Sequence, residues 1–275
     1  MFAGLIFGGR LLDPTALLYS VVTFIAFCAL SGSIYLFNDV ADREGDQQHP
    51  LKRTRPIASG ALAPGTAIAA GVVLTAAALV ATFALRPALA AVSAAYVILL
   101  GVYSVALKHV VILDVLTIAA GFVLRAVAGA VAVAVPIGQW LLVCTTLLAL
   151  FLALSKRRHE LVLLGDGATG HRRILDEYSP YLLDQMIAVV TASTVIAYTV
   201  YATSPDTAAN LGTARLGLTL PFVLYGIFRY LYLVHQKRGG GSPATLLLAD
   251  RPLLACVALW AAAVTTLLYS PLGRF

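Results

Sequence analysis

Residues 15–46 read TALLYSVVTFIAFCALSGSIYLFNDVADREGD. From Thr15 to Phe37 there is no charged side chain, and a helix needs about 20 such residues to cross a hydrocarbon core about 30 Å thick. The character changes at once after Phe37: Asn38 and Asp39 are followed by Asp42 and Asp46, with Arg43 and Glu44 between them. If the helix simply continues, at about 100° per residue, Asn38 lies at 0°, Asp42 near 40°, Asp46 near 80° and Asp39 near 100°. All four share one face.

That spacing has a chemical meaning. Carboxylates crowded within about two helical turns repel one another unless a cation sits among them. Hard oxygen ligands suit Mg²⁺, which accepts few carboxylates and bridges readily to substrate phosphates. A mixed charge run between membrane helices is ordinarily a solvated loop, but solvation does not require one face. Asn38, Asp39, Asp42 and Asp46 are therefore expected to hold Mg²⁺, with the three aspartates as the catalytic set. Just beyond stand Lys52, Arg53 and Arg55, spaced to grip phosphate oxygens not taken by the metal, Arg in bidentate fashion and Lys as a point charge.

Outward from this stretch the chain keeps the same character. Of 275 residues, 60% are hydrophobic and 12% charged, against roughly a quarter charged in soluble proteins; lipid is the main solvent. Complete spans are expected near 15–37, 62–85, 88–107, 111–134, 138–155, 181–203, 213–234 and 252–271. Residues 1–9 are too short to span and lack the charged region and cleavage site of a signal peptide, so they are expected to be the tail of a truncated further helix. The expectation is an all-α polytopic bundle of about nine helices, forming one integral membrane domain over residues 1–275. Cys28, Cys144 and Cys256 all fall inside apolar spans and read as small buried hydrophobes, not as a disulfide or zinc framework.

Alternating the loops collects Arg43, Lys52, Arg53, Arg55, Lys108, Lys156, Arg157, Arg158, Arg172, Arg173, Lys237, Arg238 and Arg251 on one side, against Arg10, Arg86, Arg215 and Arg274 on the other. By the positive-inside rule the richer side is cytoplasmic. The two longest loops, 38–61 and 156–180, lie there with nearly all the acids, which topology does not need. Four spans separate the two loops, so they recur at equivalent points of an approximate repeat, as two half-sites facing one cavity would.

The string NDVADREGD at 38–46, with KRTRPIASG after it, resembles the N-D-x-x-D-x-x-x-D signature of the UbiA-type intramembrane prenyltransferase superfamily, over essentially the whole chain. The resemblance implies nine membrane helices around a cavity and two Asp-rich motifs that bind Mg²⁺ and an isoprenoid diphosphate. The second motif departs from the pattern: where prenylating members have D-x-x-x-D, this chain has Ser155-Lys156-Arg157-Arg158-His159-Glu160. On a helix Lys156, Glu160 and Arg157 occupy the same arc as Asn38, Asp42 and Asp39.

A basic second motif handles a second anion better than a second metal. It is similar to the decaprenyl-phosphate phosphoribosyltransferase branch, as are residues 121–129 and Tyr178 to Leu182. That branch moves 5-phosphoribose from phosphoribosyl diphosphate to a polyprenyl phosphate, giving a precursor of lipid-linked arabinose for the cell wall, in the plasma membrane of prokaryotes. Its members carry a basic amphipathic segment before the first helix. The absence of that segment here is expected to impair lipid access or activity.

The resemblance implies Lys156, Arg157, Arg158 and Glu160 as substrate contacts. Other candidates come from the residues themselves. Arg125 and Arg229 lie inside spans, where an unpaired charge costs about 2.5 kcal/mol or more, so each is expected to face the cavity, snorkel or pair. Asp114 and Asp184 stand near helix ends, suited either to ion pairs with Lys108, Arg125 or the second loop or to substrate. Tyr103, Tyr178 and Tyr181 are phosphate or ribose donors or members of an interfacial aromatic belt. Lys108, Arg125, Tyr103, Tyr178 and Asp184 complete the candidate substrate-binding set.

The histidines are scattered without ligand spacing and read as solvated interface; Gly239-Gly240-Gly241 reads as a flexible turn. A transporter would place its carboxylates at the bilayer midplane among broken helices, and a prenyltransferase acting on an aromatic or haem-like acceptor would not need the basic motif. The formal charge of +6 is met by topology, with no nucleic-acid reader. A homo-oligomer is compatible with the sequence.

Overall fold

The structure, a computed structural model, describes residues 1–48, 52–164, 173–237 and 239–270. Many of the helices begin where the sequence places proline in a first turn, a position whose missing N–H costs nothing. Pro14 opens α2 (Pro14–Ala41), Pro64 α4 (Pro64–Leu85), Pro87 α5 (Pro87–Val105) and Pro180 α8 (Pro180–Thr203). Side-chain caps sharpen several of these starts: Asp13 accepts from the Thr15 and Ala16 amides, and Ser179 from Leu182. The remaining helices are α1 (Ala3–Phe7), α3 (Arg43–Gln48), α6 (Leu113–Ala132), α7 (Gln139–Leu164), α9 (Pro205–Leu211), α10 (Leu220–Gln236), α11 (Pro243–Ala249) and α12 (Arg251–Tyr269).

Seven segments among the described residues are long and apolar enough to cross a membrane: α2, α4, α5, α6, α8, Leu216–Gln236 around α10, and α12. By sequence α7 adds an eighth, being uncharged from Gln139 to Ser155, and α1 occupies the place of the expected remnant. The chain is a multi-pass membrane protein with the expected all-α architecture. One expected boundary moves. The span ending at residue 155 is part of a helix that runs on to Leu164, so the basic motif lies on helix, not in a loop. At about 1.5 Å per residue α7 is roughly 39 Å long and α2 roughly 42 Å. Both exceed the hydrocarbon thickness, and both carry their motifs on the overrun.

The helices pack as two compact units, with α6 passing from one into the other between Val123 and Leu124. In the unit of residues 1–5, 10–108 and 124–136, α2 packs on α4 and α5. Its core gathers Phe27, Leu30, Leu89 and Tyr96 with Ala128 and Ala132. Gly71 of α4 lets the two motif-side helices close up, since a Cβ there would stand 2.7 Å from the Phe37 ring. In the unit of residues 6–9, 109–123 and 137–275, α7 packs on α8, α8 on α10, and α10 on α12. Its core includes Phe151, Leu154, Leu183, Ile187, Tyr230 and Val234. Each unit thus sets its motif-bearing helix against the next long helix.

Candidate active site

The first motif sits where α2 hands over to α3. Asp42 is the only residue between the helices, and the hydrogen-bond ladder barely notices it: the Asp42 amide donates to Asn38 O and the Asp46 amide to Asp42 O, both at 2.8 Å. The carboxylates therefore keep nearly the helical spacing read from the sequence. The loop then folds back. Ile57 and Ala58 are buried, and the Gln47 side chain donates to Ala58 O at 3.2 Å.

This fold-back brings the basic cluster onto the acids. Arg55 Nη1 donates to Asp39 Oδ1 at 2.8 Å and to Asp46 Oδ2 at 2.9 Å. Lys52 Nζ lies 3.7 Å from Asp46 Oδ1, and Lys108, in the short 3₁₀ turn Leu107–His109 after α5, lies 3.1 Å from Asp42 Oδ1. Asp46 is buried, Asp42 exposed, and Asn38 and Asp39 half-buried. Arg53 is exposed, and Tyr103, two residues from the end of α5, is half-buried. Arg125 lies deeper in the same unit, donating to Ser31 Oγ at 3.0 Å and to Tyr96 Oη, with its guanidinium carbon 5.1 Å from the Tyr96 ring centre.

Among the described residues no group of three or more acidic, histidine or cysteine side chains is gathered closely enough to hold a metal. The acids are held by cations instead. Yet two of their oxygens converge on one positively charged nitrogen, Arg55 Nη1, and an all-oxygen donor set of this kind fits Mg²⁺.

The second motif, in the other unit, is woven into ion pairs. Arg157 is 3% exposed. Its Nη1 donates to Glu160 Oε2 at 2.6 Å, and its Nη2 stands 2.7 Å from Asp114 Oδ2, a charge contact without hydrogen-bond alignment. Asp114 is fully buried and accepts on Oδ1 from the Tyr178 hydroxyl at 2.8 Å. That hydroxyl accepts in turn from the Ile112 amide at 2.7 Å. Ile112 has φ 68°, a costly conformation for a β-branched residue, and Tyr178 holds it there. Burial raises the Tyr178 phenol to about 12, which keeps it a donor. Arg158 pairs through Nε and Nη2 with both oxygens of Asp184, which His235 also meets at 3.2 Å. Lys156 is exposed.

Asp114 and Asp184 make ion pairs, one of the two roles open to them, with partners from the second motif. Sequence reasoning missed His235, which it left as interface, and the hydroxyl pair Ser31 and Tyr96 around Arg125. Helical spacing carries no signal for any of these, because each partner comes from a distant helix. His159, also read as interface, lies under the glycine turn: a Cβ on Gly241 would meet its ring at 2.8 Å, and Gly240 has φ +115°. His49, and Arg172, Arg238 and Arg274 of the sidedness count, fall outside the described residues.

The chain is 34% identical over 257 residues to the decaprenyl-phosphate phosphoribosyltransferase of Mycolicibacterium smegmatis, covering 90% of this chain and 80% of that protein. It is 31% identical over 260 residues to the protein of the same name from Mycobacterium tuberculosis, covering 94% and 84%. The structure of a UbiA homolog from Archaeoglobus fulgidus bound to GPP and Mg²⁺ matches with a TM-score of 0.73 over 96% of this chain and 93% of that one, at 18% identity, a likeness of fold. A match to the UbiA prenyltransferase family extends over residues 1–249, and the chain belongs to that family.

Proposed function

We propose that the protein transfers 5-phosphoribose from phosphoribosyl diphosphate to a polyprenyl phosphate, with Mg²⁺, on the cytoplasmic side of the membrane, and releases pyrophosphate. The names of the full-length relatives support this reading. The observation that carries it is the state of the second motif. Its neighbouring acids Asp114, Glu160 and Asp184 are already engaged by Arg157 and Arg158, which leaves a basic helix end with Lys156 exposed. Such an end suits a second phosphate, not a second metal.

Mg²⁺, when held by Asp39, Asp42 and Asp46 with Asn38, supplies the positive charge that a departing diphosphate needs. Lys52, Arg53 and Arg55 grip the same diphosphate. The bond between ribose C1 and the diphosphate oxygen breaks, its electron pair leaves on pyrophosphate, and the sugar becomes oxocarbenium-like. Lys156 and Arg158 hold either the acceptor phosphate or the ribose 5-phosphate. An oxygen of the acceptor forms the new bond to C1. A phosphate monoester has a second pKa of about 6, so that oxygen is already anionic and no general base is needed. Attack on the opposite face inverts the anomeric centre from α to β. The product is the polyprenyl-phosphoryl 5-phosphoribose from which lipid-linked arabinose for the cell wall is built.

The test is incubation of the purified protein with Mg²⁺, phosphoribosyl diphosphate and a polyprenyl phosphate, following pyrophosphate. Release is expected only with all three present. Consumption of a prenyl diphosphate while phosphoribosyl diphosphate is ignored would establish a prenyltransferase acting on another acceptor. Asp42→Ala is expected to abolish turnover while leaving the thermal midpoint in place, because Asp42 is exposed at a helix junction. Near-normal turnover of that variant would reject the metal assignment.

A further inference from the structure

Between α8 and α10, within one unit, runs an open groove of about 820 Å³. Its walls are aliphatic and aromatic, including Ala188, Ala192 and Ile196 of α8 and Leu224 and Phe228 of α10; Asp184, His235 and Gln236 close one end. On α8 the lining extends from Asp184 to Ile196 and on α10 from Leu224 to Gln236, each about 18 Å of helix. One leaflet of hydrocarbon is roughly 15 Å deep. The groove therefore has the depth of a single leaflet and carries its charged lining residue, Asp184, at one end.

Basic side chains stand beside that end. Arg158 and His235 both meet Asp184. The His235 ring nitrogens stand 3.0 Å from Leu231 O and 3.2 Å from Asp184 Oδ1. Lys237 follows one residue beyond the end of α10, its Nζ 6.0 Å from the ring centre of Tyr232, which also lines the groove. Asp184 is engaged by Arg158, and Lys237 adds a further positive charge beside Tyr232, so the mouth is complementary to an anion with an apolar tail.

We propose that this groove holds one acyl chain of an anionic glycerophospholipid, whose phosphate is received by Lys237 and His235, beside the Arg158–Asp184 pair. The single-leaflet depth selects a bilayer phospholipid over a polyprenyl phosphate, whose chain would overrun the far end at Ile196. The charged end selects an acidic head over a zwitterionic one. Since Arg158 belongs to the basic motif of α7 and Asp184 to α8, the bound lipid braces the pair that joins these helices.

The test uses the delipidated full chain in detergent, with thermal unfolding followed during addition of phosphatidylglycerol, phosphatidylcholine or a polyprenyl phosphate. Phosphatidylglycerol is expected to raise the midpoint by roughly 3 °C or more, as a ligand well above its dissociation constant does. Phosphatidylcholine is expected to leave it unmoved. Ala192→Trp fills the groove and is expected to abolish the shift, and Lys237→Gln to weaken it. Ala188→Leu is the milder filling should the tryptophan variant not fold. Four results would overturn the proposal: an undiminished shift in a folded filling variant, an undiminished shift in Lys237→Gln, an equal response to phosphatidylcholine, or a response to the polyprenyl phosphate alone.

Discussion

Arg55 donates through one nitrogen to two aspartates that lie 16 and 9 residues before it. A side chain in that position neutralises the charge that would otherwise make the acids repel, and it competes with any other cation for the same oxygens. Removing it should expose both effects. Arg55→Ala is expected to lose about 1–3 kcal/mol of stability without Mg²⁺, because Asp46 is buried, and to gain more from added Mg²⁺ than the wild type does. Thermal midpoints with and without Mg²⁺ measure this, and equal metal responses would mean that the acids do not share a cation position.

The neighbouring arginines of α7 should separate cleanly. Arg157 and Asp114 have side chains 4% and 0% exposed, and removing one partner of such a pair costs about 3–5 kcal/mol. Arg157→Ala should therefore fail by unfolding, with Arg157→Lys recovering part of the loss. The Arg158–Asp184 pair is more open, and an exposed pair contributes about 1 kcal/mol or less. Arg158→Ala should keep its fold and lose turnover instead, so parallel measurement of midpoint and turnover distinguishes the two roles.

Much of the first motif was legible because its four members are local and helical spacing alone places them. The bridge by Arg55 was not, since it depends on how the loop folds back over the buried Ile57. Asp114 and Asp184 could be read as charges in need of partners, but which arginine each would meet is a matter of tertiary packing.

At the scale of elements, hydropathy placed the eight spans within a few residues because lipid requires apolar side chains and helical backbone together. The misplaced boundary was at residue 155. Lys156 ends the apolar run, but a charge at the water interface does not stop the backbone ladder, so α7 continues to Leu164. The close approach of α2 and α4 at Gly71 was invisible for the opposite reason, as a glycine in an apolar helix carries no periodic signal. It makes a sharp prediction. Gly71→Ala gains about 1 kcal/mol of helix propensity, which offsets the displacement of the Phe37 ring, so its thermal midpoint should stay close to wild type. Gly71→Leu should cost about 1–3 kcal/mol by overpacking. Equal tolerance of both would mean that α2 and α4 do not meet closely at this point.

At the scale of the whole molecule, sidedness follows from the order in which the chain crosses the bilayer. Starting from the loop after α3, each span reverses the side. Residues 205–211, with Arg215 close behind, are thereby assigned to the face poor in Lys and Arg, while Ser59 and the turn before α11 are assigned to the rich one. Basic residues are retained in the cytoplasm, and the proposed reaction requires the rich face to be the cytoplasmic one, because phosphoribosyl diphosphate is a charged molecule that does not cross a membrane unaided. With Cys28, Cys144 and Cys256 replaced by alanine, single cysteines at Ser59, Asn210 and Ala244, all exposed positions, read this directly. A membrane-impermeant maleimide applied to intact cells is expected to label Asn210→Cys at once, and Ser59→Cys and Ala244→Cys only after permeabilisation. The reverse pattern would put the carboxylates of α2 and α3 outside the cell, beyond reach of the donor, and the phosphoribosyl reading would fall with them.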